Sequence, residues 1–113
     1  EFLLNFNRKF IVSSVILPPV DNYQEANVRL HVKANQQERT AFVDNFNYHL
    51  SAMCERDNFY YLDITSPTRD KSSGLLHQHF KIIDTNSHLN IYAIKPIIRE
   101  KLKSESLRNY LKS

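Results

Sequence analysis

Glycine is almost absent from this sequence: Gly74 is the only one among 113 residues, against a usual share of about 7%. Phosphate-binding loops, dinucleotide-binding turns and the elbows that present a nucleophilic serine all need glycine, because the backbone turns tightly or approaches a ligand closely there. The chain therefore cannot build these glycine-dependent sites, and we expect it to use no cofactor.

Cysteine is equally scarce, since Cys54 is the only one and no disulfide can form within the chain. It lies in a helical pattern, where we expect a buried apolar filler and not a reactive thiol. A single cysteine favours a reducing compartment such as the cytoplasm. No apolar run reaches the ~18 residues of a membrane span, so we expect neither a span nor a signal peptide.

Charge is present in both signs, and the net charge of +3 comes from scattered lysines and arginines. The one basic run, Arg99 to Lys103, is interrupted by Glu100. Such a run in a helical pattern predicts a solvated helix face in preference to a phosphate-binding patch. We expect no nucleic-acid partner.

Two short apolar runs predict β-strands. Phe10 to Leu17 (FIVSSVIL) is rich in β-branched residues and stops at Pro18-Pro19, which is typical of a strand buried on both faces of a parallel sheet. Phe59 to Ile64 (FYYLDI) is rich in aromatic and β-branched residues and predicts the second strand. Near its end, Asp63 is expected to accept cap or loop hydrogen bonds.

The stretch from Asn35 to Arg56 predicts the main helix. Asn35 is an N-cap residue and Glu38, three positions later, completes a capping-box pattern. The apolar residues at helical spacing predict one buried stripe: Phe42, Val43, Phe46, Leu50, Met53 and Cys54. Asp44 and His49 lie off this stripe and are expected in solvent.

A second helical pattern runs from Ile91 to Lys112, with Asn90 as its N-cap. Pro96 either kinks this helix or begins it, and Ser104-Glu105-Ser106 is a candidate break. The predicted buried stripe consists of Ile91, Ile94, Ile98 and Leu102.

The order of these elements predicts an α/β domain. A helix that connects two strands makes a right-handed βαβ unit by default. Between the first strand and the main helix, Val28 to Val32 alternates and predicts either an edge strand or a loop. Two or three strands are too few to bury such apolar runs. Residues 1–113 therefore read as a single, incomplete α/β domain that another polypeptide completes.

The stretch before the last helix carries the strongest chemical signal. Asp84 and His88 stand four positions apart, in the pattern D-x-x-x-H. A carboxylate that accepts the Nδ1–H of a histidine fixes the imidazole tautomer and leaves Nε2 free to act as a base. The alternative is a loop pair that caps the last helix.

Several of these motifs together resemble the C-terminal half of the SGNH/GDSL-family hydrolases. The matching stretches are VSSVILPPV, FYYLDI, DKSSGLL and DTNSHLNIYAIKPIIREKL, within residues 8 to 103. In that family a late strand often ends in a Pro-Pro pair, and a loop before the last helix carries the Asp and His of the catalytic triad. The resemblance implies a flavodoxin-like, three-layer α/β/α fold with Asp84 and His88 as catalytic residues. The commonest family spacing is D-x-x-H, one residue shorter than here.

The nucleophile of that family is missing. Its serine lies in an N-terminal Gly-Asp-Ser motif, and this chain has none. Ser13 and Ser14 lie inside a predicted strand without a glycine turn, so neither is a candidate. The resemblance therefore implies an esterase acting on an acylated small molecule or carbohydrate. Its nucleophile would come from the N-terminal remainder of the same protein or from a second chain that completes the sheet, and we expect the 113-residue chain to be inactive by itself.

Two functions of other classes remain open. A chain without a nucleophile is also what a noncatalytic α/β interaction module would look like. Alternatively, imidazole and carboxylate groups suit zinc, and His77, His79, Asp84 and His88 are then the candidate ligands. His77 and His79 alternate and would share one face of an extended segment.

Overall fold

A computed structural model of the chain describes residues 8–19, 34–81 and 89–113. The elements in these ranges make a mixed α/β structure. In chain order they are β1 (Ile11–Ser13), α1 (Gln36–Asp57), β2 (Tyr60–Leu62), α2 (Ile91–Leu102) and α3 (Glu105–Lys112). Two short 3-10 helices, Ser66–Thr68 and Gln78–Phe80, lie between β2 and α2. The predicted strand or loop at 28–32 falls outside the described residues.

The two strands are parallel, with Ile11, Val12 and Ser13 opposite Tyr60, Tyr61 and Leu62. This confirms the predicted parallel pair with a helix between its strands. Both strands are shorter than their apolar runs. β1 ends early because the Val15 N–H donates to Asn47 Oδ1 (2.8 Å) and Asn47 Nδ2 donates to the Val15 carbonyl (2.9 Å). The backbone of Val15 therefore bonds to α1 and not to a strand.

The prediction that the first strand is buried on both faces is wrong for the described chain. Ile11 is 43% exposed and Val15 is 42% exposed. Among the described residues β1 has a strand neighbour only on the β2 side. No strand within residues 8–19, 34–81 and 89–113 pairs with its other edge, and Ile11 and Val15 reach solvent.

The ends of α1 follow the local sequence. The Asn35 side chain accepts from the Glu38 N–H (2.8 Å), and the Glu38 carboxylate accepts from the Asn35 N–H (3.1 Å). The predicted capping box is confirmed. The helix ends at Asn58, which adopts the left-handed conformation with φ of 59°, a conformation that asparagine tolerates better than most residues.

The buried face of α1 differs from the predicted one. Phe42 is 74% exposed and Phe46 is 48% exposed, so the predicted stripe is wrong at these two aromatic residues. Val43 of the same stripe packs against buried hydrophobic residues. The residues that α1 buries most completely are Gln36, Thr40, Asn47 and Cys54, and three of the four are polar. Gln36 donates to the Pro18 carbonyl (3.0 Å) and Asn47 bonds to Val15, so hydrogen bonds hold two of these three polar residues in place. The hydroxyl of Thr40 is buried with no hydrogen-bond partner among the described residues. The prediction that Cys54 is buried is confirmed.

Helices lie on both faces of the strand pair. Successive residues of a strand point to opposite faces. The Tyr60 ring packs against Tyr110 of α3, with centroids 5.6 Å apart. The neighbouring Tyr61 therefore points to the other face, and α1 packs against β2. The strands are thus sandwiched between α1 and α3.

The main hydrophobic cluster consists of Leu17, Leu76, Phe80 and Ile94; we call these four residues the core cluster. They come from the segment after β1, the connection between β2 and α2, and α2 itself. The core cluster therefore holds three distant parts of the chain together.

The second helical pattern divides in two, as the polar break suggested. Ser104 begins α3, and its Oγ accepts from the Leu107 N–H (3.1 Å). Pro96 lies inside α2. Asn90 is at the N-cap position, but its side chain makes no cap hydrogen bond. The predicted stripe of this helix is wrong at Ile91 and Leu102, which are exposed. None of the helices in the described ranges is both long and apolar enough to cross a membrane.

Candidate functional site

The predicted catalytic pair, Asp84 and His88, lies at positions 82–88, which are outside the described residues. The structure therefore describes the surroundings of the pair and not the pair itself.

The two flanks of positions 82–88 lie side by side. Lys81 and Leu89 form an antiparallel bridge, and the Asn90 N–H donates to the Phe80 carbonyl (2.8 Å). Because these backbone groups bond to each other, the residues that enter and leave the segment are held together at its base.

These flanks also belong to the hydrophobic interior. Phe80 is a member of the core cluster, and Leu89 packs against that cluster. Leu17, another member, follows the carboxyl end of β1. In open α/β sheets this is the edge at which ligand sites form. The base of the Asp84–His88 segment is thus anchored next to that edge.

His77 and His79 do not share one face of an extended segment, because a 3-10 helix occupies residues 78–80. His77 Nδ1 accepts from the His79 N–H (3.0 Å), so one ring nitrogen of His77 caps this turn. Both side chains are exposed. Their rings contact Phe80 edge-on, at centroid distances of 6.2 and 5.1 Å.

The metal hypothesis receives no support from residues 8–19, 34–81 and 89–113, where no group of three or more His, Cys, Asp or Glu side chains could hold an ion. Two of its four proposed ligands, Asp84 and His88, are outside these ranges. The other two are the histidines around Phe80, and a lone pair of His77 is already used by the backbone.

Asp63 accepts local hydrogen bonds, as predicted. Its Oδ1 accepts from the backbone N–H groups of Thr65 and Ser66 (both 3.0 Å), and its Oδ2 accepts from the Ser66 hydroxyl (2.5 Å). Burial alone would raise the pKa of this carboxyl, but the hydrogen bonds outweigh it and the net pKa is lowered. Asp63 is therefore an ionised cap of the turn that follows β2.

The two serines of the first apolar run are not nucleophiles in the described chain. Ser14 is buried, and its Oγ accepts from the Ile64 N–H (2.9 Å) and from the Thr65 hydroxyl (2.7 Å). The Ser13 hydroxyl donates to the Ser14 carbonyl (3.0 Å). Both hydroxyls therefore form hydrogen bonds that hold the strand ends in place. The sequence contained no signal for this network, because its partners lie about fifty positions apart.

The side chain of Asp44, expected in solvent, is 43% exposed, but it also has an ion-pair partner that the sequence did not indicate. Arg69 binds it through two nitrogens, with Nη2–Oδ1 at 2.5 Å and Nη1–Oδ2 at 3.2 Å. Arg69 Nη1 also donates to the Gly74 carbonyl (2.7 Å). This bidentate ion pair links α1 to the turn that contains Gly74, and we assign it a structural role. His49 is exposed, as predicted.

A shallow apolar groove of about 480 Å³ begins at the same flanks. Sequence reasoning did not indicate it. Its lining comes from the end of the second 3-10 helix and one side of α2: His79, Phe80, Asn90, Tyr92, Ala93, Pro96 and Ile97. Phe80 and Asn90 stand on either side of the Asp84–His88 segment, so the groove adjoins the base of that segment.

No protein-family model, no curated protein and no solved structure matches the chain. The likeness to SGNH/GDSL hydrolases rests on the motifs quoted above, and it stays a prediction.

Proposed function

We propose that this chain supplies the Asp84–His88 half of a Ser-His-Asp triad in an SGNH/GDSL-like ester hydrolase. Its nucleophile then belongs to polypeptide outside the chain, and the whole has a flavodoxin-like, three-layer α/β/α fold. The observation that carries the proposal is the anchored base of the segment. Lys81 and Leu89 are bridged, and the flanks pack on the core cluster beside the carboxyl end of β1.

In this proposal His88 Nε2 takes the proton from a serine hydroxyl as the serine attacks an ester carbonyl. Asp84 accepts the Nδ1–H of His88 and stabilises the imidazolium that forms. Such a pair needs rigid support, because its hydrogen bonds tolerate only a narrow range of distances, roughly 2.6–3.2 Å. The buried Ile94 anchors α2 directly after the segment, which supports this role.

The apolar groove beside the Asp84–His88 segment supports the proposal that the substrate carries an apolar group. Its lining by Phe80, Tyr92, Pro96 and Ile97 suits the acyl part of an acylated small molecule or carbohydrate, since apolar surface leaves water there. The edge of β1 that no described residue covers is the second argument. It supports the proposal that a partner adds strands there and completes the sheet. That partner is the N-terminal remainder of the same protein or a second chain.

The test is hydrolysis of short p-nitrophenyl esters by the protein assembled with the polypeptide that carries the serine. We expect His88→Ala and Asp84→Asn each to lower kcat at least ~10²-fold, because a positioned general base contributes about 10²–10⁴. His49→Ala is the control, since His49 is an exposed histidine of α1 that does not line the groove, and it should retain most of the activity.

Equal activity in the wild type and in a folded His88→Ala variant would remove His88 from the mechanism. The 113-residue chain by itself should show no hydrolysis above the buffer rate, because it has neither a nucleophile nor oxyanion donors. Activity in the isolated chain would contradict the assignment of the nucleophile to another polypeptide.

A second candidate function is a noncatalytic interaction module, which the exposed Phe42 and Phe46, one turn apart on α1, favour. Large apolar side chains gathered at a surface mark interaction sites. The same variants separate the two functions. A module loses no function on His88→Ala, whereas the hydrolase loses nearly all of it.

A further inference from the structure

The last two helices carry all of the excess positive charge of the chain. Residues 91–113 contain six lysines and arginines against two glutamates, a charge of +4, whereas residues 1–90 sum to −1. The two ion pairs among the described residues lie elsewhere, at Arg56–Asp57 and Arg69–Asp44. Within the described part of the chain, the cations of α2 and α3 are therefore not neutralised by an ion pair.

Three of these cations form one line along α2, and we call them the basic stripe. Lys95 and Arg99 lie in α2, and Lys103 is its C-cap. They follow one another at four-residue spacing, so each stands one turn beyond the last, and all three are exposed. At about 100° per residue they stand roughly 100–180° round the helix from Ile94, which is buried. The basic stripe therefore faces solvent and not the core cluster.

Glu100 interrupts the basic run in the sequence but not on the helix. It stands about 100° round α2 from Arg99 and lines a second apolar groove, of about 390 Å³, together with Pro67 and Ile97. The basic stripe itself contains no carboxylate. The prediction of a merely solvated face rested partly on this interruption, which the helix removes from the stripe.

Apolar side chains accompany the basic stripe. Tyr92 lies within the same arc of α2 and is 84% exposed, and Lys95 Nζ lies over its ring, 5.9 Å from the centroid. Ile91 and Leu102 are also exposed and stand about 20° apart on the helix, beside Lys95. Cations mixed with an aromatic ring and aliphatic side chains are what a helix at a bilayer surface presents to anionic lipids.

We infer that the basic stripe and Tyr92 seat α2 on the surface of an anionic phospholipid membrane. The inference goes beyond the proposed function and does not depend on it. Lys95 and Lys103 are about 12 Å apart along the helix, so a flat surface contacts the whole stripe at once. Ile91 and Leu102 favour lipid over nucleic acid, because a phosphate backbone offers aliphatic side chains no apolar surface.

Neither the helix dipole nor apolar exposure alone accounts for this surface. The dipole favours cations near the C-terminus of a helix, which suits Arg99, but Lys95 lies in the first half of α2. Exposed aromatic residues also occur on α1, at Phe42 and Phe46. That helix carries four carboxylates against two arginines, so an anionic membrane would repel it. In α2 the exposed apolar side chains coincide with excess positive charge.

The first test is co-sedimentation of the 113-residue chain with vesicles of phosphatidylcholine, alone or mixed with phosphatidylserine. We expect binding to the mixed vesicles only, and weaker binding as salt screens the charges. Arg99→Glu should weaken it at least about fivefold, because each cation near such a surface contributes roughly that factor. Lys71→Glu is the matched control: it makes the same charge change at an exposed lysine of the turn that contains Gly74, and binding should be unchanged. Circular dichroism checks that both variants fold.

The second test places a fluorescent reporter on the surface. The chain contains no tryptophan, so a single introduced one reports only its own surroundings. The emission of Tyr92→Trp should shift to shorter wavelength on the mixed vesicles, because the ring leaves water. The emission of Tyr48→Trp, at an exposed residue of α1, should stay unchanged.

Three results would overturn the inference. The first is no binding to the mixed vesicles, or binding that Lys71→Glu weakens as much as Arg99→Glu does. The second is an emission shift in Tyr48→Trp and not in Tyr92→Trp, which would place the contact on α1. The third is binding of a labelled oligonucleotide or an acidic peptide that Arg99→Glu abolishes, in a chain that does not bind the vesicles.

Discussion

At the scale of single residues, the polar groups of the strand ends are the informative ones. Asp63, Ser14 and Asn47 all bond to backbone groups within or just after the strands. Each of them satisfies a backbone donor that no strand neighbour reaches. Asp63 differs from the others because it does so as an anion.

Asp63 should make stability depend on pH. Its pKa is lowered in the folded chain, so its stabilisation is fully present above the unfolded pKa, near 4, and is lost as the pH falls through the folded pKa. Ser66→Ala removes one hydrogen bond to the charged carboxylate. We expect it to lower the free energy of unfolding by less than about 1 kcal/mol at pH 7, after solvent screening, and by still less at pH 3.

Urea unfolding between pH 3 and pH 7 measures this difference. Ser72→Ala is the control, because Ser72 lies in the next exposed turn and its hydroxyl has no role at Asp63. If the loss caused by Ser66→Ala is the same at pH 3 and pH 7, the ionised Asp63 is not its source.

At the scale of elements, α1 shows that hydrogen-bonded polar side chains occupy part of its buried face. Its N-terminus is where the capping box predicts, and it ends at Asp57, one residue after the predicted Arg56. Its orientation is not the one that the aromatic residues predict. Asn47 faces the sheet because it supplies both a donor and an acceptor to Val15, whereas Phe42 lies in solvent.

This orientation predicts opposite effects for two substitutions on α1. Asn47→Ala removes both hydrogen bonds to the partly buried backbone of Val15 and should cost about 1–3 kcal/mol of unfolding free energy. Phe42→Ala should change it by no more than about 0.5 kcal/mol. Chemical denaturation followed by circular dichroism measures both. A Phe42→Ala effect larger than that of Asn47→Ala would show that the helix buries the aromatic stripe after all.

At the scale of the whole molecule, the core cluster joins parts of the chain that are far apart in sequence. Leu17 is fully buried and contacts residues of the connection after β2 and of α2. The same cluster anchors the flanks of the Asp84–His88 segment. The side chains of the core cluster therefore contribute both to the stability of the fold and to the anchoring of the Asp84–His88 segment.

Leu17→Ala should destabilise the whole chain by about 2–5 kcal/mol, since it leaves a cavity in the core cluster. Leu111→Ala, at an exposed leucine of α3, should cost less than about 1 kcal/mol. Thermal and urea unfolding give both values. A small, local effect of Leu17→Ala, seen only near residue 17, would mean that the cluster does not unite the molecule.

The sequence by itself determined those features that depend on neighbours a few positions away. The capping box at Asn35, the break at Ser104 and the two β-forming runs were all predicted correctly. Capping bonds and strand propensities act over short separations. The helix between the two runs then implied their parallel pairing. The assignment of His88 as the candidate base also comes from a local pattern of five residues, and it stays a prediction.

Only the tertiary structure decided which of several possible surfaces each element buries. Asn47 meets Val15 across 32 positions, and Arg69 meets Asp44 across 25. A pattern of residues that are close in sequence does not reveal contacts between residues so far apart. A polar side chain that finds a buried partner can displace an aromatic one from the interior, because an unpaired buried backbone group costs as much as the lost apolar burial. For this reason β1 is shorter than its apolar run, and Phe42 and Phe46 lie at the surface.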